Sequence, residues 1–291
     1  MPDQNTLLVT GASGHLGRRV LELLLEANAG KMIATTRNPE GLADFAARGV
    51  EVREADFDDP AGLANAFRGA DRLLLISTDA TDIPGRRLQQ HLNAASAAKE
   101  AGVSHIVYTS LISPEPGSPV LLAPDHWGTE SALAESGMGY TSLRNNVYME
   151  MLIDVLEQAK KTGIVASATG DGKIAHVTRE DCARTAAAAL ASSFEGTRVL
   201  DVTGPAAYSY AELTAIMAKL LGQPVTYMPL TLDALIDGMV AAGLPRPAAE
   251  AYASFDAGIA QGKMNVVSST VQDLTGRAPT SVVDFLSEFA G

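Results

Sequence analysis

Two hydrophobic patterns alternate along the first half of the chain. Short aliphatic or β-branched runs at residues 6–10, 31–36, 50–55, 72–77 and 105–110 read as strands. Between them, residues 14–27, 39–47, 60–68 and 86–101 carry apolar side chains at helical spacing, most clearly Leu16, Val20, Leu23 and Leu24. After Arg72 the run to Ile76 is wholly apolar, as expected of a strand covered on both faces. Such alternation predicts an α/β fold: a Rossmann-type, doubly wound parallel sheet with right-handed crossovers and helices on both faces. Further strands are expected at 140–144, 164–167 and 199–203, and a helix at 125–136.

The last third changes character. Ser209 and Glu212 form a capping box that opens a helix running to Leu221. A strand at 225–229 and helices at 232–242, 246–261 and 282–289 follow. The expected division is a Rossmann domain over 1–150 and a smaller, mostly helical α/β substrate lobe over 151–291 that does not fold independently. A cleft between two such lobes is the usual place for a substrate.

Composition narrows the class. The chain has 291 residues, 46% of them hydrophobic and 19% charged, with a net charge of −12. That charge argues against nucleic acid or an anionic membrane as partner, both of which call for a basic face. A local group of N–H donors and one Arg still suffices for an anionic cofactor. Cys182 is the only cysteine, so no intramolecular disulfide is possible, which fits a reducing compartment. The polar start at 1–5 does not resemble a secretory leader, and no apolar run approaches membrane-spanning length. A cytoplasmic monomer or homodimer is expected.

The chemistry begins at Gly11, Ala12, Ser13, Gly14, His15, Leu16 and Gly17, between the first strand and the first helix. In that context Gly11 permits a tight turn, Gly14 a close approach of backbone to pyrophosphate, and Gly17 close helix–strand packing. The N–H groups at the positive end of the helix dipole then suit phosphate. No Lys-Ser/Thr follows, so the loop is not a nucleoside-triphosphate P-loop. At the end of the second strand, where a site for NAD carries an acidic residue, this chain has Arg37, whose planar fork suits the extra 2′-phosphate of NADP(H). Asp56 and Phe57, after the third strand, are candidates for the adenine, or for a simple helix-capping turn.

A Tyr with Lys four residues later, the acid pair of many short-chain dehydrogenases, is absent. None of the seven tyrosines has that partner. Tyr140 and Arg144 come nearest, but on a strand that spacing separates side chains by roughly 13 Å. His126 and Glu130 occupy the expected place, one helical turn apart. Two readings stand for them: a proton donor with its carboxylate relay, or a helix-start His touching a surface Glu. Ser110 either contacts substrate or merely lines the site. Without the pair, alkoxide chemistry lacks its acid. A quinone accepts hydride to give a phenolate-like anion of pKa near about 10, and a cationic dye carbon needs no proton at all. His91 and His105 read as structural, Cys182 as core, and Asp181 as a helix cap; the histidines show no metal spacing.

These residues resemble the NmrA-like group of atypical short-chain dehydrogenases, in the branch of bacterial NADPH-dependent quinone oxidoreductases and triphenylmethane reductases. The likeness runs through the glycine loop, Thr36-Arg37-Asn38-Pro39, Ala55-Asp56-Phe57, Tyr108-Thr109-Ser110, His126 with Thr129-Glu130, Leu143-Arg144-Asn145, Tyr148 and Gly170-Asp171-Gly172-Lys173-Ile174. The resemblance implies NADP(H) as cofactor and hydride transfer to quinones or similar acceptors. It places residues 11–16 and Arg37 at the phosphate end, and Ser77, Thr78, Asn145, Asn146 and Tyr148 near nicotinamide and substrate. A rival expectation is a non-catalytic, NADP(H)-sensing regulatory protein, which would also lack the Tyr–Lys pair. An epimerase acting on a nucleotide-sugar fits less well, because that chemistry needs the missing acid.

Overall fold

The structure, a computed structural model, describes residues 5–290. Most of the polar start lies outside the described residues. The chain divides into two compact units. The first comprises Met1–Ser110, Asp125–Arg144 and Cys182–Leu200, the second Leu111–Pro124, Asn145–Asp181 and Asp201–Gly291. The sequence suggested one cut near residue 150; instead the chain passes back and forth between the units.

The first unit opens with the expected alternation: β1 (Leu7–Val9), α1 (His15–Glu26), β2 (Met32–Thr36), α2 (Ala43–Ala46), β3 (Glu51–Glu54), α3 (Pro60–Phe67), β4 (Arg72–Leu75), α4 (Arg86–Glu100) and β5 (His105–Leu111). Next come α5 (Ala123–Glu135) and β6 (Gly139–Asn145). The sheet has the order β3-β2-β1-β4-β5-β6 and ends on a seventh strand at Thr197–Val202. The pairings from β3 through β2, β1 and β4 to β5 are parallel. Every residue of β1, β2, β4 and β5 is buried, which explains why these strands are mostly apolar. The edge strand β3 is instead charged and partly exposed, which discourages edge-to-edge pairing. Leu8, Ile33, Leu73 and Ile106 pack with Leu63 and Phe67 of α3 and with Ala94, Ala95, Ala97 and Ala98 of α4. Burying each Leu or Phe contributes about 1.5–3 kcal/mol, and the alanines let α4 lie close.

The second unit contains α6 (Met151–Thr162), β7 (Ile164–Ser167) and β8 (Lys173–Ile174). α7 (Arg179–Ala191) and β9 (Thr197–Val202) each run across the division between the units. The remainder is β10 (Tyr208–Ser209), α8 (Tyr210–Leu221), β11 (Thr226–Pro229), α9 (Leu232–Ala241), α10 (Arg246–Ala260), α11 (Thr270–Thr275) and α12 (Val282–Ser287). The Ser209–Glu212 capping box forms as read. β11 joins β7 in a separate parallel ribbon.

Several expectations change. The helix expected over 39–47 begins as a 3-10 turn, Pro39–Leu42. The strand expected to reach Ser77 ends at Leu75, because the next N–H groups find side-chain acceptors. Asp181 does not cap α7. Thr178 does so: its hydroxyl accepts from the Asp181 N–H and donates to the Asp181 carboxylate. Helices α6 and α11 were not anticipated.

Arg72 begins β4 and is nearly fully buried. Its guanidinium donates to the carbonyls of Ala189, Leu190 and Phe194, closing the C-terminal end of α7. Replacing it with Met leaves those carbonyls buried without donors. Arg72→Met is therefore expected to lower the unfolding free energy by about 2 kcal/mol. Urea unfolding checks this, and an unchanged midpoint would contradict the capping role.

Candidate functional site

Gly11 adopts φ +57°, a left-handed turn that other residues resist. At Gly17 a Cβ would collide with the Gly11 carbonyl and lie 2.8 Å from the Ala12 Cα. The loop and the start of α1 are thus packed backbone on backbone. The first intrahelical bond runs from the Arg18 N–H to the Gly14 carbonyl. The N–H groups of His15, Leu16 and Gly17 therefore have no acceptor within the helix. Ala12 does not share this role: it is fully buried and its N–H donates to the Thr35 carbonyl.

Beyond the ends of β1, β2 and β4 lies a cavity of about 670 Å3. Its walls include Gly11, Ser13, Gly14, His15, Leu16, Arg37, Asp56, Phe57, Ser77 and Thr78, as the sequence suggested. Arg86 and Gln90, which no local motif marks, also line it. The Ser13 hydroxyl accepts from Thr36. Arg37 is exposed and makes no ion pair among the described residues. Three of the nearby acids are otherwise engaged. Asp56 accepts from the Asp58 N–H, forming the turn considered above. Asp58 and Asp82 are held by Arg86. The Arg86 hydrogen bond holds the Asp58 carboxyl below its ordinary pKa, with Gln90 and the Arg37 charge adding to the effect.

His126 and Glu130 do not act on one another. Glu130 forms a two-point ion pair with Arg144, at 3.0 and 2.7 Å. His126 Nε2 accepts from Arg87 Nη2 at 2.9 Å, and its Nδ1 lies 2.9 Å from the Tyr108 hydroxyl. A guanidinium only donates, so the neutral ring carries its proton on Nδ1 and gives that hydrogen bond to Tyr108. Burial, aided by the charge of Arg87, pushes the His126 pKa well below its ordinary value. Both ring nitrogens of His126 are thus engaged within the protein, and the His126–Glu130 contact expected from helical spacing is absent.

Ser110 and Asn145 each bury a side-chain oxygen without a hydrogen-bond partner. Asn146 donates to the Met264 carbonyl and accepts from the Val147 N–H, so it ties its loop to the segment after α10. Tyr148 lies under Arg179, 5.3 Å from guanidinium to ring centre. Asn145, Asn146 and Tyr148 belong to the second unit, Ser110 to the first. A smaller cavity of about 440 Å3, lined by Arg72, Ser104 and His105 among others, opens at the opposite ends of the strands. Its one buried cation, Arg72, is consumed in capping α7. Among the described residues no helix is long and apolar enough to cross a membrane, and no group of three His, Cys, Asp or Glu is placed to hold a metal.

The strand order, the glycine turn and the cavity over β1, β2 and β4 define a Rossmann-type α/β protein. The chain belongs to the NmrA-like family, whose model matches residues 3–272. It is 37% identical to quinone oxidoreductase 2 of Escherichia coli over 97% of both chains. The crystal structure of that NADPH-dependent enzyme with NADPH superposes with a TM-score of 0.92, covering 98% of this chain and all of the other. The Citrobacter sp. triphenylmethane reductase complexed with NADP(H) is 32% identical, with a TM-score of 0.90 over 97% of this chain and 99% of that one. A reductase of (4-alkanoyl-5-oxo-2,5-dihydrofuran-3-yl)methyl phosphate from Streptomyces griseus is 33% identical over 98% of both chains.

The buried histidines make stability depend on pH. Burial lowers His91 and His176 to about 3 and His105 to about 4, and His126 falls as well. In the unfolded chain each titrates near its ordinary 6.5. Below that pH the unfolded state takes up protons that the folded state refuses. Folding free energy is complete above about pH 6.5 and falls toward pH 4, by up to about 1.4 kcal/mol per pH unit for each histidine. Urea midpoints measured from pH 7.5 to 4.5 should fall steadily; a flat profile would contradict the buried, neutral state.

Proposed function

We propose that this chain passes a hydride from NADPH to a quinone or another planar, electron-poor acceptor. The chain is an oxidoreductase with NADP(H) as its cofactor, in keeping with relatives solved with NADPH and NADP(H). The observation that carries the proposal is the unpaired Arg37 guanidinium in the wall of the cavity beside the glycine turn. The residues present fit the group. Gly11 makes the left-handed turn and Gly17 leaves backbone where a Cβ would collide, so the amides at the start of α1 would face the pyrophosphate. Arg37 takes the 2′-phosphate, and Asp58, whose carboxyl feels the Arg37 charge, is held by Arg86.

When bound, NADPH supplies the hydride. The protein binds and orients. His15 and Leu16 hold the phosphates, with Gly14 bordering them and its own N–H turned to the Gly11 carbonyl, Asp56 and Phe57 border the adenine, and Ser77 and Thr78 lie against the nicotinamide half. In the first unit the unpartnered Ser110 oxygen, and in the second that of Asn145, each suit a donor on a ligand, while Asn146 is spent on its own backbone contacts and Tyr148 lies under Arg179. His126 and Glu130 hold structure rather than move protons. Without them as acids, a product anion of phenolate basicity is favoured over an alkoxide.

Two measurements test this. NADPH oxidation is followed with a panel of quinones and cationic dyes, and at least one acceptor should raise the rate well above background. Saturable NADPH binding with no acceptor-dependent oxidation would point instead to a sensor. Arg37→Ala should weaken NADPH binding by about 1.5–3 kcal/mol, the scale of a hydrogen bond to a charged group, while NADH binding barely changes. An equal loss for both would remove Arg37 from the selector role.

A further inference from the structure

At the end of β4, side chains from three elements take over from the sheet. The Ile76 N–H donates to Thr10 Oγ1 at 3.0 Å, the Ser77 N–H to Thr109 Oγ1 at 2.9 Å, and the Thr78 N–H to His91 Nε2 at 3.0 Å. The Thr78 carbonyl accepts from Arg87 Nε at 2.7 Å. Three consecutive amides and one carbonyl are thereby fixed by residues from the end of β1, from β5 and from α4. Beyond Thr78 this stops: residues 79–85 are largely exposed and belong to no helix or strand.

The two anchors on Thr78 are themselves oriented from behind. His91 Nε2 is an acceptor, so its proton sits on Nδ1, which donates to Thr129 Oγ1 at 3.0 Å. The Thr129 hydroxyl passes its own hydrogen to the Asp125 carbonyl at 2.7 Å. Arg87 reaches from the Thr78 carbonyl to His126 Nε2 at 2.9 Å, and His126 rests on the Tyr108 hydroxyl at 2.9 Å. The Asp125 carboxylate stands 3.5 Å from Arg87 Nη1. Arg87 and His91 lie one helical turn apart on α4, so both face the same stretch of backbone. Arg87, His91, Tyr108, His126 and Thr129 are all buried.

We propose that Arg87 and His91 are positioning residues for hydride transfer, fixing the Ser77–Thr78 backbone against which the nicotinamide half of the cofactor lies. This rests on the placement of Ser77 and Thr78 proposed above. It gives the His126 network a purpose without proton transfer: His126, Tyr108 and Thr129 set the orientation of the two side chains that grip Thr78. The phosphate end is built from other elements, β1, α1 and β2, so affinity and reactivity separate. Cofactor is held by the glycine turn and Arg37, while the angle of its reactive ring depends on the clamp. A misplacement of about 1 Å at a site remote from the chemistry costs on the order of 100-fold in rate.

His91→Leu removes the acceptor for the Thr78 N–H, and His91→Gln keeps an oxygen near the position of Nε2. Amide hydrogen exchange on the cofactor-free chain reads the clamp directly. In His91→Leu, protection at Thr78 should drop by about 100-fold while Val107 in β5 keeps its own; His91→Gln should restore most of it. With NADPH added, His91→Leu should bind within about threefold of the wild-type dissociation constant. The fluorescence anisotropy of its bound nicotinamide should move toward that of free cofactor, and turnover with a quinone should fall about 10–100-fold. Wild-type anisotropy and turnover in His91→Leu would overturn the proposal. Should that variant fail to fold, Arg87→Lys decides in its place. It keeps the charge but cannot reach both Thr78 and His126, so retained anisotropy there is equally contrary. If the wild-type chain binds NADPH yet reduces no acceptor, the acceptor assignment fails, and exchange and anisotropy still judge the clamp.

Discussion

The turn between β1 and α1 leaves no room for a side chain at position 17. The helix must begin directly over the Gly11 carbonyl, so its first N–H groups emerge beside the ends of β1 and β2. Everything else about the site follows from that closeness. The parallel order β2-β1-β4 places Arg37 on one side of the turn and Ser77 with Thr78 on the other. A bulkier residue at position 17 would push the helix away and dissolve the geometry, whatever the rest of the cavity contained.

An acidic chain reads an anionic cofactor by arranging its charges locally. Net charge is −12, and carboxylates surround the cavity. Arg86 draws Asp58 and Asp82 together, and Asp56 spends an oxygen on its own turn. Arg37, one strand away, is left available. The ion pairs of Arg86 are exposed and each stabilises the fold by little. Their consequence is electrostatic, since acids paired with Arg86 repel a phosphate less than unpaired ones would.

Much of this was legible in the sequence. Continuous apolar strands, the glycine spacing and the basic residue after β2 each obey rules that operate within a few residues, and the fold and phosphate end came from them. The polar network behind Thr78 did not. Tyr108 has no Lys four residues on to mark it, and His91 has the spacing of a structural histidine. Helical spacing did place His126 and Glu130 on one face, but spacing cannot reveal which neighbour each finds across the fold: Arg144 from β6 claims Glu130, and Arg87 from α4 claims His126. The Arg87–His91 repeat on α4 was the available signal. It gains meaning only once β4 ends two residues before the sequence suggested. The interleaved units were equally invisible, because segments such as Cys182–Leu200 return to the first unit through contacts far apart in sequence.

Loss of the Tyr–Lys acid and the enclosure of His126 bear on the same point. The proposed reaction accordingly relies on orientation and on an acceptor able to carry negative charge or lose a positive one. The central claim is that backbone amides ahead of α1 hold the pyrophosphate while Arg37 holds the 2′-phosphate. A crystal structure with NADPH measures it directly. The account predicts phosphate oxygens within hydrogen-bond distance of the His15 and Leu16 amides, and the 2′-phosphate against the Arg37 guanidinium. A dinucleotide bound elsewhere, or a 2′-phosphate turned away from Arg37 into solvent, would contradict it.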